Sequence, residues 1–590
     1  MFMLDSHNSV DRQTFRGPLA FIFFISSCFS LILIFKTGSD VLALDLNAND
    51  GYMRYIQFKS WLESGHWYLE PMPNFNPQDG LIIHWSRFPD IPLALVSITT
   101  SLVVDIQASY ALAMIIVPSL YLLGIVAAIG FFTYRLIGKQ YVVIACFYLL
   151  SSHVITKFFP GVIDHHNLQL LCAAWFLALS PLKKSDCKNN KWAVLQGGLL
   201  ALSFWVGLEN LIFFALLLLS MALMGYLTSK RFLYYCRLVC LSALCFGLVA
   251  CLLNRPIAEL GQAQVDAISW PYLFCLTIGA LFCQLSIQTK WIAHKPSKFI
   301  LSGVICLSLI LLVTPDIVLG VYHNYPELLS RYWLSHVSEA NSIFSYIELQ
   351  GFFSKHNYVL FMLPALGSIF FIRKNPSLLV LYILLIFSLL PALFWQVRTV
   401  YLAYLISTPL QAFFVISLNR KLANPLTQTI VALLSMPISL ALLVGFAHST
   451  LAAPPSNEKA KIPLERLKMV ALLEKHQVRQ NKIVAPIDFG AAILALTDNA
   501  VISAPYHRNI KGNELAARIF TSTDTNDARE LIKQNKIDLL MYGNDPSSNV
   551  YKKLSSSSSF INQLDQQKIP DWLELIAENK QGIKLLKVRL

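Results

Sequence analysis

Apolar runs separated by short polar stretches dominate the chain up to about residue 447. They fall at roughly 18–36, 110–135, 141–158, 166–181, 192–206, 208–227, 233–253, 271–288, 298–316, 357–372, 377–396, 399–417 and 427–447, each near the ~20 residues needed to cross a bilayer. The pattern predicts about thirteen transmembrane helices. Ile91–Val104 is apolar but short, and predicts a partial or interfacial helix leading into the second span. From residue 448 the chain turns polar and mixed in charge. Lys482–Pro486, Val501–Ala504, Ile537–Met541 and Ile583–Val588 read as strands, and Asp527–Gln534 and Asp571–Glu578 as helices. Ser555–Ser559 reads as a surface loop. The expected fold is a polytopic α-helical membrane protein, residues 1–447, followed by a soluble α/β domain, residues 448–590.

Composition agrees with the pattern. Of 590 residues, 55% are hydrophobic and only 14% charged, with mean hydropathy +0.54. Basic residues recur in alternate loops: Arg12 and Arg16; Arg135 and Lys139; Lys183, Lys184, Lys188 and Lys191; Lys230 and Arg231; Lys290, Lys295 and Lys298; Arg373 and Lys374; Arg420 and Lys421. With the N-terminus cytoplasmic, all of them fall on the inner side, as the positive-inside rule requires. They also account for much of the net charge of +13. Because they are spread over short loops, they do not form a nucleic-acid footprint. No small-residue cleavage site follows the first span, which reads as a retained anchor. The long loops, residues 37–90 and 317–355, and the C-terminal domain then lie outside. All eleven cysteines precede residue 307 and read as apolar fillers of the bundle. No Walker loop or dinucleotide fingerprint is present.

The outward-facing polar residues carry the candidate chemistry. Asp164-His165-His166-Asn167 lies between two apolar runs, at the membrane rim, where polar side chains are costly. One reading is a capped helix start with histidines among headgroups. The other is a metal site: on an extended loop Asp164 and His166 point the same way, and an oxygen with an imidazole suits Mn or Mg. Asp50 opens Asn49-Asp50-Gly51-Tyr52-Met53-Arg54. It reads as a helix cap partnered by Arg54, or as a general base or metal ligand. In His84-Trp85-Ser86-Arg87 the arginine suits either headgroups or a substrate phosphate. Glu209, in an outer hairpin, and Arg398, with Gln396 at another outer junction, are functional candidates because ionisable groups at membrane depth need a reason. Glu339 in the third loop is a further candidate carboxylate.

Taken together, the chain resembles the GT-C superfamily of membrane glycosyltransferases, in the branch of oligosaccharyltransferase catalytic subunits, and looks like bacterial proteins of this type. The resemblance rests on the many spans, a large first outer loop with early Asp50, and a short second loop where Asp164-His165-His166 stands for a D-x-D motif. A long outer loop with Glu339 and an outer C-terminal domain complete it. Pro486-Ile487-Asp488-Phe489-Gly490 is a partial counterpart of the family's W-W-D-Y-G motif, with Ala485-Pro486-Ile487 where the tryptophan pair would stand. The resemblance implies that Asp50, Asp164 and Glu339 are catalytic and that Asp50, Asp164 and His166 hold a divalent cation. Arg54, His84, Arg87, His165, Asn167, Glu209, Arg398 and Asp488 would bind substrate, with Arg398 on the donor's lipid phosphate. It also implies transfer of a sugar or oligosaccharide from a polyprenyl-phosphate or polyprenyl-diphosphate donor to a glycan, lipid or protein acceptor, at the outer face of a bacterial inner membrane. A transporter or flippase, or a non-catalytic scaffold for lipid-linked glycans, is the alternative. Transport predicts inverted repeats and charges deep in several spans. The sequence has no such repeat, and its polar residues gather at the outer rim.

Overall fold

The computed structural model describes residues 16–46, 48–77, 80–289, 295–372, 375–451 and 464–589. Arg12, Lys290, Arg373 and Lys374, expected on the inner side, lie outside the described residues. The apolar runs become helices: α1 (Arg16–Leu42), α2 (Asn49–Ser64), α3 (Asp90–Thr100), α4 (Ile106–Ile137), α5 (Val142–Leu150), α6 (His166–Leu179), α7 (Asn190–Val206), α8 (Leu211–Leu227), α9 (Arg231–Asn254) and α10 (Trp270–Gln288). Pro296–Val313, Pro376–Phe394, Val400–Asn419 and the pair Pro425–Leu434 and Pro437–Leu451 follow.

Among the described residues seven helices are long and apolar enough to cross a membrane, or eight if the last pair, bent by 70°, is one span. The expected thirteen is therefore not reached by length. Lys139–Leu150, His166–Leu179, Leu211–Leu227 and Tyr358–Phe370 are shorter apolar helices, and α7 has 17 residues. The expected span at 141–158 is the clearest departure: α5 ends at Leu150, and a 3₁₀ turn, His153–Phe158, takes over. The short run Ile91–Val104 is indeed a helix, α3, against α4.

One apolar core runs through the helical bundle. Where α7 meets α9 the backbones nearly touch: a Cβ on Gly197 would lie 2.5 Å from the Ser242 side chain and 2.7 Å from the Val239 carbonyl. All eleven cysteines are free, most of them buried.

The C-terminal stretch folds into a five-stranded sheet in the order β2-β1-β3-β5-β4, with β1 (Lys482–Val484), β2 (Ala500–Val501), β3 (Leu539–Tyr542), β4 (Leu573–Glu578) and β5 (Lys584–Val588). β1 runs parallel to β2 and β3, while β3–β5 and β5–β4 are antiparallel. The expected helix at Asp571–Glu578 is corrected to β4. Pairing with β5, shifted between Leu575 and Ala577, prevails over local propensity there. The helix expected at Asp527–Gln534 forms as Thr525–Gln534, its first turn capped by Asp524.

Two further cores tie this unit to the outer loops. Tyr52, Phe58, Phe75 and Trp85 of the first loop share one core with Phe489, Val501 and Tyr506. The loop also extends the sheet at β2: Val501 N donates to Asn74 O at 2.9 Å, and Asn76 N donates to Val501 O at 2.8 Å. Leu329 and Tyr332 of the third loop enter the other core with Phe520 and Tyr551. This three-way packing brings residues far apart in sequence to the N-terminal end of α6.

Gly490, which opens a helix behind Asp488, shows how tight this packing is. A Cβ there would lie 2.0 Å from the Ser503 carbonyl. Gly490→Ala is expected to cost about 1–3 kcal/mol, read as a lower thermal unfolding midpoint of the detergent-solubilised protein.

Candidate active site

The site is built at the start of α6. Asp164 Oδ1 accepts a hydrogen bond from His166 N at 3.0 Å, so the polar run does begin a helix, and Asp164 is held by it. This turn replaces the extended loop expected from sequence. His165 points away from Asp164 toward the α7–α8 hairpin, where its Nε2 lies 2.9 Å from Glu209 Oε1. Gln169 Nε2 donates to Glu209 Oε2 at 2.6 Å, and Gln169 Oε1 lies 3.3 Å from His166 Nδ1. Asn167 is spent on its own loop, with Nδ2 donating to Val162 O at 2.9 Å. Its buried side chain holds the turn and does not reach out to a substrate.

Asp50 approaches from the first turn of α2. That turn presses on the loop before Asp164: a Cβ on Gly51 would lie 3.3 Å from the Gly161 carbonyl. Asp50 is not the cap of α2, a place taken by Ala48, and Arg54 is not its partner. Burial first, and the neighbouring Asp164 charge second, push the Asp50 carboxyl up to about 6. Asp164 goes the opposite way. Burial opposes its charge, but the His166, Lys157 and His165 groups and the His166 amide hold its carboxyl below the usual carboxylate range. Glu209 is also held well below that range: burial works against it and is outweighed by His165.

Glu339 comes from a 3₁₀ turn, Ser338–Ala340, in the third loop. Its Oε1 accepts from Lys157 Nζ at 3.0 Å. Lys157 also sits 5.3 Å from the centre of the Tyr401 ring, and Asp164 and Glu339 raise the pKa of its ammonium despite burial. Arg398, in the turn before Val400–Asn419, donates from Nε to Gln396 Oε1 at 2.9 Å. Lys157, His166, Gln169, Glu209, Asn210, Glu339, Arg398 and Tyr401 line one small pocket. Glu339, Arg398 and Tyr401 also border a roomier cleft of about 450 Å³, together with His153, Tyr346, Lys355, His356 and Tyr358.

Four residues expected at the site have other places. Arg54 and Arg87 both turn inward. Arg54 Nη1 pairs with Asp90 Oδ1 at 3.0 Å, with neither side chain exposed, and also donates to the Ser86 carbonyl at 3.0 Å. Arg87 donates to the carbonyls of Gln57 and Trp67. These two arginines fasten the first outer loop. His84 stacks 4.4 Å from His507, beside the site but facing the C-terminal unit. Asp488 accepts from Asn49 Nδ2 at 3.2 Å, which places it behind the start of α2. Burial first and Asp545 second raise it to about 6.

Lys157 and Gln169 escape a reading of the sequence that follows loops, because both lie inside apolar runs. A lysine in such a run is itself a signal of function.

The donor chemistry suits a divalent cation. His165, His166 and Glu209 offer ligand atoms within 4.8 Å of one another, with Asp50 and Asp164 alongside. His165 Nδ1 is buried and has no hydrogen-bond partner among the described residues. Imidazole with carboxylate is a Zn or Mn donor set more than a Mg one.

No known family model matches the chain, and no curated protein does. Among solved structures it is similar to the archaeal oligosaccharyltransferase AglB from Archaeoglobus fulgidus in complex with an inhibitory peptide and a dolichol-phosphate. The TM-score is 0.62 at 14% identity, covering 90% of this chain and 70% of that one. The same enzyme in complex with Zn and sulfate gives 0.59 at 16% identity, over 88% and 68%. ArnT from Cupriavidus metallidurans bound to undecaprenyl phosphate matches more loosely, at 0.40 and 9% identity over 94% and 97%. The chain therefore shares the fold of that oligosaccharyltransferase, a multi-pass membrane architecture.

The inward placement of Arg54 has a direct consequence. Removing one partner of a buried ion pair leaves the other uncompensated, so Arg54→Ala should cost about 3–5 kcal/mol. The measurement is thermal unfolding in detergent, and Asp90→Ala should behave alike.

Proposed function

We propose that this protein is a glycosyltransferase that moves a sugar or oligosaccharide from a polyprenyl-phosphate or polyprenyl-diphosphate donor to an acceptor. The reaction takes place at the outer face of a bacterial inner membrane. The observation that carries this reading is the pocket lined by Lys157, His166, Glu209, Glu339 and Arg398 in an oligosaccharyltransferase-like fold, with the buried Asp50 near enough to feel the charges of Asp164, Glu339 and Lys157. The similar AglB was solved with a dolichol-phosphate and with Zn and sulfate, which supports a lipid-phosphate donor and a cation.

Arg398 and Lys157 bring positive charge to the pocket and would hold the donor's phosphate. Asp50, Asp164 and His166, with His165 and Glu209 beside them, would hold a divalent cation. When bound, it would neutralise charge developing on the leaving phosphate. The acceptor's oxygen or nitrogen forms a bond to the sugar's anomeric carbon while the carbon–oxygen bond to phosphate breaks. That electron pair leaves with the phosphate, and the acceptor's proton passes to Asp50. A carboxyl at about 6 is suited to take a proton near neutral pH. Tyr346, Tyr358 and Tyr401 give the larger cleft aromatic walls on which an acceptor can pack.

The test is transfer by purified protein from a synthetic lipid-linked sugar to candidate acceptors, with EDTA or with added Mn, Mg or Zn. Asp50→Ala and Asp164→Ala are each expected to lower turnover by about 100-fold or more. Absence of transfer under every condition would favour the transporter or scaffold reading. Because Asp50 works deprotonated, turnover in metal-free buffer should rise as pH passes through about 6 and level off above it. An added cation, favouring the charged carboxylate, should move that limb to lower pH. A profile without a limb near this pH would exclude Asp50 as the base.

A further inference from the structure

His84, Asp266 and His507 form a second group away from the pocket, with one ligand atom of each within 4.8 Å of the others. They arrive from three unrelated places. His84 belongs to the first outer loop, Asp266 to the segment between α9 and α10, and His507 follows β2 in the C-terminal unit. His507 Nε2 lies 2.9 Å from Asp266 Oδ2, and the His84 and His507 rings are 4.4 Å apart.

The plain reading is an ion-pair joint. Arg508 donates to both oxygens of Asp266, from Nε to Oδ2 at 2.6 Å and from Nη2 to Oδ1 at 2.8 Å. That joint accounts for Arg508, Asp266 and His507, but it leaves His84 without a role. The His84 ring lies against His507, tilted by 53°.

We propose that His84, Asp266 and His507 are a second divalent-cation site, suited to zinc, that fastens the C-terminal unit to the membrane part. Two imidazoles and one carboxylate are a zinc donor set, and they leave a fourth position for water. Arg508 orients the ligating carboxylate by donating to both of its oxygens, and Oδ2 lies against His507 as well. It also takes up part of the aspartate's charge, which sets the affinity below that of an unpaired set. The site stands whether or not the first pocket transfers sugars.

The experiment uses the full-length protein in detergent with the first pocket disabled by Asp164→Asn and His166→Ala. After equilibration with zinc and dialysis, metal analysis should find about one zinc ion per chain, and the thermal midpoint should rise with zinc. Adding His507→Ala, or separately Asp266→Asn, should remove both the bound ion and the rise in midpoint that zinc produces, measured against the same variant without zinc. The Asp266→Asn protein decides the matter if His507→Ala fails to fold. The proposal is overturned if the disabled parent retains no zinc, if zinc content is unchanged by the substitutions, or if magnesium binds equally well.

Discussion

Two carboxylates placed side by side out of bulk water govern this structure. Burial first, and the Asp164 charge second, raise the Asp50 carboxyl to about 6. Asp164 keeps its charge because His166, His165 and Lys157 surround it. A pair of this kind is costly without compensation, and every polar residue nearby can be understood as supplying it. Lys157 reaches Glu339, His165 reaches Glu209, and Gln169 bridges Glu209 and His166. The result is a charge-dense pocket at the edge of an apolar bundle.

Holding that pocket together takes most of the outer part of the protein. The Arg54–Asp90 pair and the Arg87 contacts shape the first loop, so that Asp50 is delivered against Gly161. The C-terminal sheet covers this loop, takes a bridge from it at β2, and binds the third loop through Leu329 and Tyr332. The third loop in turn carries Glu339. Three segments that are polar and separately unremarkable thus become one rigid wall facing the bundle.

Much of this was legible in the sequence, and the limits have physical causes. The helical membrane class followed from hydropathy, and four of the five strands from alternation and branched side chains. β4 did not, because Leu573–Glu578 acquires strand character only by pairing with β5. Apolar length does not reveal breaks such as the one after Leu150, where the expected span at 141–158 passes into a 3₁₀ turn. Asp50, Asp164, His166, Glu339 and Arg398 stood out as polar groups near membrane ends, and the structure places them close together. Arg54 and Arg87 stood out in the same way but turn inward, since the identity of an arginine's partner, here Asp90, is a tertiary fact. Lys157 was hidden in a run read as a span.

The proposed function requires a lipid-linked phosphate in this pocket. A cryo-electron microscopy map of the protein with a bound polyprenyl phosphate is the decisive measurement. Phosphate density is expected in contact with Arg398 and Lys157, near the Asp50 and Asp164 carboxylates. Phosphate density elsewhere, with this pocket unchanged, would contradict it.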